Sequence, residues 1–289
     1  MQKQNAKLVV VSGLSGSGKS IALNALEDSG YNCIDNLPVS LFQALAMDVI
    51  DPPSRTMHTA IGIDARSPCQ ELDKVPEIIR MLRADGVDCE VLFLEADTDI
   101  LIQRFSETRR RHPLTDETHD LESAISQERH LLSPLAETAD LSIDTSRTTL
   151  HQLREIIRDR VAERPYGELS VMLQSFGFKH GMPRNANFVF DVRCLPNPHW
   201  HPGLRPLTGK DQAVAEFLEE SEAVKRMLYD INQFALRWIP CFEAEGRSYL
   251  SISIGCTGGQ HRSVYLVEQI AASFREQGRE VLCIHRELS

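Results

Sequence analysis

Near its N-terminus the chain carries the octapeptide Gly13-Leu14-Ser15-Gly16-Ser17-Gly18-Lys19-Ser20. It follows the pattern G-x-x-x-x-G-K-[ST], in which glycines let the backbone curl around an anion. The apolar run Lys7–Ser12 before it predicts a buried strand, and the segment Ser20–Ser29 after it predicts a helix. Strand, glycine-rich loop and helix in this order are the context in which the pattern binds nucleotide phosphates. The sequence therefore predicts a phosphate-binding loop at residues 13–20.

Two side chains of this loop have predicted roles in phosphate chemistry. Lys19 would neutralise the β- and γ-phosphates of a nucleotide, and the hydroxyl of Ser20 would be a ligand of Mg²⁺. A second magnesium anchor is expected at the end of a neighbouring strand, where Asp35, Asp64 and Asp97 are candidates. Asp64 follows the most clearly apolar strand and is preferred, although each of the three could instead be a helix cap.

Predicted strands and helices alternate along the first half of the chain, as is typical of parallel βαβ units. The predicted strands are Lys7–Ser12, Tyr31–Ile34, Thr59–Ile63, Glu90–Glu95 and Leu141–Asp144. The predicted helices are Ser20–Ser29, Val75–Asp85, Ile100–Arg111, Leu121–Ala139 and Thr148–Arg164. The breaker sequence Pro165-Tyr166-Gly167 then marks a boundary. We predict an α/β protein with a kinase-like P-loop domain of parallel strands at 1–164 and a second α/β domain at 165–289.

The second domain contains another strand, glycine-rich turn and helix. The predicted strand Ser248–Gly255 leads through Cys256-Thr257-Gly258-Gly259-Gln260-His261-Arg262-Ser263 into the predicted helix Ser263–Gln277. Arg262 offers a planar fork for phosphate, and the helix N-terminus adds positive potential. The spacing Cys-x5-Arg-Ser also occurs in cysteine-dependent phosphatases. Because glycine rather than histidine precedes Cys256, phosphate binding without chemistry is the favoured interpretation. A further helix from Asp211 to about Phe234 and a strand at Glu280–Ile284 complete this prediction.

Other cationic residues support either an anion pocket or a surface patch. Arg104 and the run Arg109-Arg110-Arg111 resemble the lid of small P-loop kinases, or else form a solvated helix end. His180 and His261 are candidates to share one site. Upstream of the second loop, cations and imidazoles gather in loops that favour an anion pocket or an RNA-facing patch over scattered surface charge. They are Lys179, His180, Arg184, Arg193, His199, His201, Arg205 and Lys210.

Composition limits the class of protein. The 289 residues carry a net charge of −10, but residues 170–289 contain as many basic as acidic side chains, so the acidity lies in the first part. Charge alone therefore argues mildly against a nucleic-acid partner. No apolar run approaches the roughly 20 residues that cross a bilayer, and no signal-peptide core is present, so we expect a cytoplasmic protein without a membrane partner. The seven cysteines form no CxxC pair, and we expect reduced thiols.

Taken together, the motifs resemble the RapZ/YvcJ family of P-loop proteins over nearly the whole chain. The motifs that carry this resemblance are GLSGSGKS, YNCIDNLP, GIDAR, RRRHPL, SFGFKHGMPRNANFVFDVRCLPNP and GCTGGQHRSV. The resemblance implies a nucleotide-binding protein that binds ATP or GTP with Mg²⁺ and is at most a slow ATPase or GTPase. It implies an ATP segment at Gly13–Ser20 and a GTP segment at Asp64-Ala65-Arg66-Ser67. It also implies a glucosamine-6-phosphate sensor whose pocket falls on His180, Arg193 and the loop Cys256–Ser263.

In enteric bacteria this family acts as an RNase adapter that binds small regulatory RNA and RNase E to control amino-sugar metabolism. The RNA-binding members end in a strongly basic tail, whereas this chain closes with Ile284-His285-Arg286-Glu287-Leu288-Ser289. Since phosphate contacts dominate RNA affinity, we expect weaker RNA binding here. A homo-oligomer is also expected. Two alternatives stay open, a small-molecule or nucleotide P-loop kinase and a phosphatase using Cys256.

Overall fold

The computed structural model divides the chain into two compact units, residues 1–163 and 164–289, which are described separately. The residues described are 7–42, 45, 58–108, 111–115, 120–164 and 168–288. No helix in this part of the chain is long and apolar enough to cross a membrane.

The first unit is built on a five-stranded, wholly parallel sheet. Its strands are β1 (Lys7–Gly13), β2 (Asn32–Ile34), β3 (Thr59–Gly62), β4 (Asp88–Glu95) and β5 (Leu141–Asp144), in the order β2-β3-β1-β4-β5. Every residue of the central strand β1 is buried, as its unbroken apolar run predicts for a strand covered on both faces. The predicted fold class is confirmed, and β1 aims its C-terminal end, and hence the glycine-rich loop, at one edge of the sheet.

Helices cover this sheet and carry residues that reach the loop. They are α1 (Lys19–Asp28), α2 (Cys69–Leu72), α3 (Val75–Ala84), α4 (Thr98–Thr108), α5 (Leu121–Leu131), α6 (Ser133–Thr138) and α7 (Leu150–Ile157), the last continuing as a π-helical turn, Arg158–Ala162. The single helix predicted over Leu121–Ala139 is wrong. It breaks at Leu132, because Pro134 lacks a backbone N–H and suits the first turn of a new helix.

A buried ion pair joins the start of the central strand to its neighbour. The ammonium of Lys7 lies 2.9 Å from the carboxylate of Glu90 on β4 and donates to the carbonyl of Val161 at 2.8 Å. Both charged side chains are almost completely buried. Removing one partner of such a pair leaves an uncompensated buried charge, so this contact fixes the register of β1 against β4 and the end of α7.

The second unit has a four-stranded parallel sheet. Its strands are β6 (Ser170–Gly177), β7 (Phe188–Asp191), β8 (Tyr249–Cys256) and β9 (Val281–His285), in the order β7-β8-β6-β9. The sequence did not predict β6 or β7. Polar Gln174 and Ser175 interrupt the apolar run of β6, and the short edge strand β7 alternates between half-buried and exposed residues, so neither shows a continuous apolar pattern.

Three helices pack on this second sheet: α8 (Gln212–Glu219), α9 (Glu222–Ala244) and α10 (Arg262–Glu276). The single helix predicted from Asp211 to about Phe234 is wrong at its middle and at its end. The chain starts a new helix after Ser221, and α9 continues through Pro240 because its buried stripe, which includes Ala235 and Ile239, persists to that point.

Two candidate anion-binding sites

The backbone of the first loop has the conformation that its glycines allow. Gly16 and Gly18 adopt positive φ angles of 86° and 107°, which side-chain-bearing residues rarely adopt. Gly13 also has a positive φ and passes so close to β4 that a Cβ there would lie 2.2 Å from the carbonyl oxygen of Leu94. A larger residue at position 13 would push the loop off the sheet, so the glycine pattern is required by the backbone itself.

Four of the loop's N–H groups remain available for an anion. The N–H of Ser17 donates to the carbonyl of Leu14, and the N–H of Ser15 donates to a carboxylate beneath the loop. Among the described residues, the next backbone N–H groups meet no acceptor. These belong to Gly16, Gly18, Lys19 and Ser20. Unpaired donors at the start of a helix, together with the helix dipole, favour an anion at this position.

The ammonium of Lys19 lies between two of the predicted magnesium anchors. It is 2.8 Å from a carboxylate oxygen of Asp64 and 3.1 Å from one of Asp35. The backbone N–H of Asp97, the third candidate, donates to the hydroxyl oxygen of Ser146 at 2.8 Å. The structure thus brings Asp35 and Asp64 to the loop lysine, and it gives Asp97 a loop-holding backbone contact.

Asp64 is held as a carboxylate by its neighbours. Its carboxylate accepts two hydrogen bonds from Arg66, from the guanidinium Nη2 to Oδ2 at 2.6 Å and from the backbone N–H to Oδ1 at 3.0 Å. Burial alone would raise the pKa of this group, which is only 5% exposed, but hydrogen bonds from Arg66 and Lys19 lower the pKa to about 2. In the predicted GTP segment, Ala65 is buried, and the N–H of Ser67 closes a turn onto the carbonyl of Asp64 at 3.2 Å.

Arg104 holds the loop from the side of α4. Its guanidinium donates to the carbonyl of Gly16 at 3.0 Å and to the hydroxyl and carbonyl of Thr145 at 3.1 and 2.6 Å. Its hydrogen-bonding groups are therefore engaged with protein rather than extended over the loop. Of the arginines in the predicted lid, Arg109 and Arg110 lie outside the described residues, and Arg111 is exposed.

The second loop encloses the thiol of Cys256. The sulfur accepts the N–H of Gly259 at 3.2 Å and lies 3.2 Å from the hydroxyl of Ser263. Gly259 adopts a positive φ of 74° that lets the loop fold back over the sulfur. With Cys256 only 3% exposed, the thiol is enclosed by the residues of its own loop.

Arg262 is a buried cation at the start of α10. Its Nη1 donates to the carbonyls of Arg193 and Leu195 at 2.8 and 3.0 Å, and its Nη2 donates to the hydroxyl of Thr257 at 3.3 Å. Its Nε is buried without a hydrogen-bond partner, and within the described ranges it forms no ion pair. A guanidinium that is 3% exposed and forms no ion pair among the described residues places buried positive charge at the loop, which favours an incoming anion.

Asp191 is a site residue that sequence reasoning missed. It is the last residue of β7, and its carboxylate accepts Arg193 in a fork, with Nη2 at 2.7 Å from Oδ2 and the backbone N–H at 2.9 Å from Oδ1. The hydrogen bond from Arg193, with a contribution from Arg262, lowers the pKa of Asp191. The Arg193 guanidinium also lies 4.0 Å from the centre of the Phe178 ring.

A repeated sequence pattern could have identified Asp191. The chain places Asp-x-Arg after a parallel strand twice, at Asp64-Ala65-Arg66 and at Asp191-Val192-Arg193. In each unit that strand pairs with the strand that leads into the glycine-rich loop. The same aspartate–arginine fork therefore stands beside both loops.

The predicted histidines occupy different surroundings. His261 is buried, and its Nε2 lies 3.2 Å from the carbonyl of Leu204. Burial lowers its pKa below the ordinary value. His180 ends the short turn Phe178–His180, in which the N–H of Lys179 donates to the carbonyl of Thr257 at 3.2 Å. The turn that ends at His180 is thus attached to the loop. The ring of His261 lies near that of His199, with 6.4 Å between their centres.

The other predicted loop residues shape the backbone. The carbonyl of Gln260 accepts the N–H of Gly209 at 2.8 Å. Gly258 lies against Gly177, and a Cβ added to Gly177 would lie 2.7 Å from the carbonyl carbon of Gly258. In the part of the chain that the structure describes, no group of three or more His, Cys, Asp or Glu is arranged to hold a metal ion.

The stability of the second unit is expected to fall in mildly acidic solution. The ring of His285 lies between the hydroxyl of Ser175 at 2.8 Å and the carboxylate of Glu268 at 2.9 Å, and Lys210 is 3.3 Å from the same carboxylate. Burial lowers the pKa of His285, despite the opposing effect of Glu268. The unfolded chain therefore binds a proton more readily, so the free energy of unfolding decreases as the pH falls below about 6.5. Urea unfolding at pH 7.5 and 5.5 measures this difference.

The matched variants for that measurement are His285→Gln and, at an exposed position, His201→Gln. We expect the pH dependence to be smaller in His285→Gln than in the wild type and unchanged in His201→Gln. An identical pH dependence in all three proteins would contradict the assignment to His285.

Comparisons with known proteins cover both units. Residues 6–164 match the model of the RapZ-like N-terminal domain, and residues 169–289 match that of the RapZ C-terminal domain. A nucleotide-binding protein of Thioalkalivibrio sulfidiphilus is 54% identical over 285 residues, covering 98% of this chain and all of that protein. A nucleotide-binding protein of Methylococcus capsulatus is 56% identical over 283 residues, covering 98% and 96%.

Among solved structures, the shikimate kinase of Acinetobacter baumannii is similar to 54% of this chain and covers 90% of its own, with 16% sequence identity and a TM-score of 0.35. A gluconokinase from Sinorhizobium meliloti covers 54% and 91%, with 15% identity and a TM-score of 0.34.

Proposed function

The chain belongs to the RapZ family, and on that premise we propose that it is a nucleotide-binding regulatory adapter whose C-terminal unit senses glucosamine-6-phosphate. The observation that carries the proposal is the recurrence of one arrangement in both units. Each has a parallel strand, a glycine-rich loop, a helix N-terminus and an aspartate–arginine fork on the neighbouring strand. Such an arrangement suits two phosphate-bearing ligands, one in each unit.

In the N-terminal unit the ligand would be ATP or GTP with Mg²⁺. The donors present fit this ligand: four unpaired backbone N–H groups face a polyphosphate, and the ammonium of Lys19 adds a positive charge. The exposed hydroxyl of Ser20 would hold the metal, with the carboxylates of Asp64 and Asp35 nearby. Mg²⁺ would neutralise charge on the phosphates, while Lys19 leaves its present carboxylate partners for the nucleotide. Relatives named nucleotide-binding proteins support this assignment.

Slow hydrolysis of the nucleotide is the most that this site would catalyse under the adapter proposal. A small-molecule kinase is the second candidate, favoured by Asp35, whose side chain is 48% exposed beside Lys19 and could accept a proton from an acceptor hydroxyl. Phosphoryl transfer to an acceptor separates the two functions. The phosphatase alternative is disfavoured, because the Cys256 thiol is enclosed by its own loop.

In the C-terminal unit the sugar phosphate would bind at the loop Cys256–Ser263, with Arg193 and His180 nearby. Support comes from the buried charge of Arg262, whose Nε has no hydrogen-bond partner, and from the family. The family resemblance alone extends the proposal to small regulatory RNA, RNase E, a homo-oligomer and a cytoplasmic location. A regulatory role requires coupling, so the sugar phosphate and the nucleotide should each change the affinity of the other by the same factor.

The first experiment titrates the full chain with MgATP, MgGTP and glucosamine-6-phosphate by calorimetry. We expect saturable binding of at least one nucleotide and of the sugar phosphate, with inorganic phosphate and glucosamine as matched controls that bind weakly or not at all. Absence of heat for both nucleotides would contradict nucleotide binding. Absence of sugar-phosphate binding, with and without nucleotide, would contradict the sensor and bring the kinase candidate forward.

A further inference from the structure

We propose that Glu128 and His112 form a buried clamp that sets the conformation of the phosphate loop, making both of them positioning residues for the nucleotide. The proposal rests on the nucleotide binding proposed above. Neither residue is part of the loop sequence, and Glu128 comes from helix α5, which follows the loop by more than a hundred positions.

Glu128 accepts hydrogen bonds from Ser15, the third residue of the loop, with both carboxylate oxygens. Its Oε2 accepts the backbone N–H of Ser15 at 2.9 Å, and its Oε1 accepts the hydroxyl of Ser15 at 2.7 Å. The same Oε2 lies 3.0 Å from Nε2 of His112. Glu128 is fully buried and His112 is 2% exposed, so water does not compete for these contacts.

The hydrogen-bond partners fix the tautomer of His112. The backbone N–H of Leu114 donates to Nδ1 at 3.1 Å, which makes Nδ1 an acceptor and leaves the ring proton on Nε2. That proton is donated to Glu128, so three donors converge on one carboxylate. A buried carboxylate is tolerated only when it is satisfied in this way, and its removal leaves those donors unpaired.

The clamp decides which loop N–H groups face a ligand. By accepting the N–H of Ser15, Glu128 fixes the loop directly before Gly16, the first loop residue whose N–H has no acceptor among the described residues. The N–H groups without acceptors among the described residues are those of Gly16, Gly18, Lys19 and Ser20. The carboxylate therefore organises the loop for an anion that it does not itself touch.

His112 extends the clamp to the chain that follows the arginine run. The hydroxyl of Thr115 donates to the carbonyl of His112 at 2.7 Å, so this short segment is tied to the buried ring. The family motif RRRHPL thus contains one residue, His112, whose role is to support the loop from beneath. Its position is fixed by Glu128 rather than by a phosphate.

The test measures MgATP and MgGTP affinity of the full chain carrying Glu128→Gln, Ser15→Ala or His112→Gln. Glutamine keeps the size of Glu128 but cannot accept hydrogen bonds with two charged oxygens. We therefore expect the nucleotide affinity of Glu128→Gln to fall about tenfold or more. Ser15→Ala removes one contact at a half-buried position, and a smaller loss of affinity is expected without loss of folding. Glu122→Gln, at an exposed position of the same helix, is the matched control with unchanged affinity.

Hydrogen exchange without nucleotide supplies a second readout. We expect faster exchange at the Ser15 amide in Glu128→Gln, while amides of the β1 strand keep their protection. Wild-type binding that is undiminished in Glu128→Gln and Ser15→Ala would overturn the clamp. If the wild type binds no nucleotide, the proposed function fails instead, and unchanged exchange at Ser15 in Glu128→Gln would still overturn the clamp.

Discussion

Replacing Lys19 with alanine is expected to lower the affinity for Mg-nucleotide by about 100-fold or more. The ammonium is held at the loop by Asp64 and Asp35, at 2.8 and 3.1 Å, and is therefore placed before any ligand arrives. Loss of a charge that contacts phosphate in a partly desolvated site costs about 2–5 kcal/mol, and each 1.4 kcal/mol corresponds to a tenfold change. Calorimetric titration of the variant with MgATP and MgGTP measures the effect.

The control for Lys19→Ala is Lys74→Ala, which removes an exposed lysine from the same unit. We expect Lys74→Ala to bind nucleotide as the wild type does. Folding of Lys19→Ala is expected to persist, because Asp64 keeps the fork of Arg66 when the lysine is lost. Equal nucleotide affinity in the two variants would show that the loop is not the nucleotide site.

The first site was predictable because its determinants are local. The glycines, Lys19 and Ser20 occupy one octapeptide between a strand and a helix, so their spacing in sequence fixes their spacing in space. Asp64 was also predictable, since carboxyl ends of neighbouring parallel strands lie at the same edge of a sheet. Arg104 was noticed as a cation, but its contact with the carbonyl of Gly16 depends on the packing of α4.

Residues that act through tertiary contacts were not predictable in the same way. Glu128 lies on an amphipathic helix, where a single glutamate is indistinguishable from a solvated one until the helix is packed. The strands β6 and β7 were missed because their polar residues hide the pattern. Ser175, for example, is fully buried in β6 through its hydrogen bond to His285. Burial of polar groups in paired networks depends on partners far away in the sequence.

The helix errors have a related cause. A periodic apolar pattern predicts that a helix exists more firmly than it predicts where the helix stops. Buried apolar residues lie on both sides of each break, Ile125 and Leu135 around Leu132, and Leu218 and Val224 around Ser221. Pro240 lies inside α9, where its neighbour Ile239 keeps the helix packed on the core.

Replacing Arg262 with methionine is expected to lower the affinity for glucosamine-6-phosphate by about 100-fold or more. Methionine fills much of the space but removes a charge that no carboxylate pairs with among the described residues. Without that charge the anion loses the buried cation at the start of α10, and the expected loss is about 2–5 kcal/mol. The carbonyls of Arg193 and Leu195 also lose their donor, so some loss of stability accompanies the change.

Thermal unfolding with and without the sugar phosphate separates these two effects of the Arg262 substitution. A ligand that binds only the folded state raises the unfolding temperature, so the wild type should shift with added sugar phosphate and Arg262→Met should not. Arg226→Ala, at an exposed position of α9, should shift as the wild type does. A variant that unfolds earlier yet still shifts with ligand would mean that Arg262 only supports the fold. The anion would then be bound by the exposed Arg193 and the N–H groups of the loop.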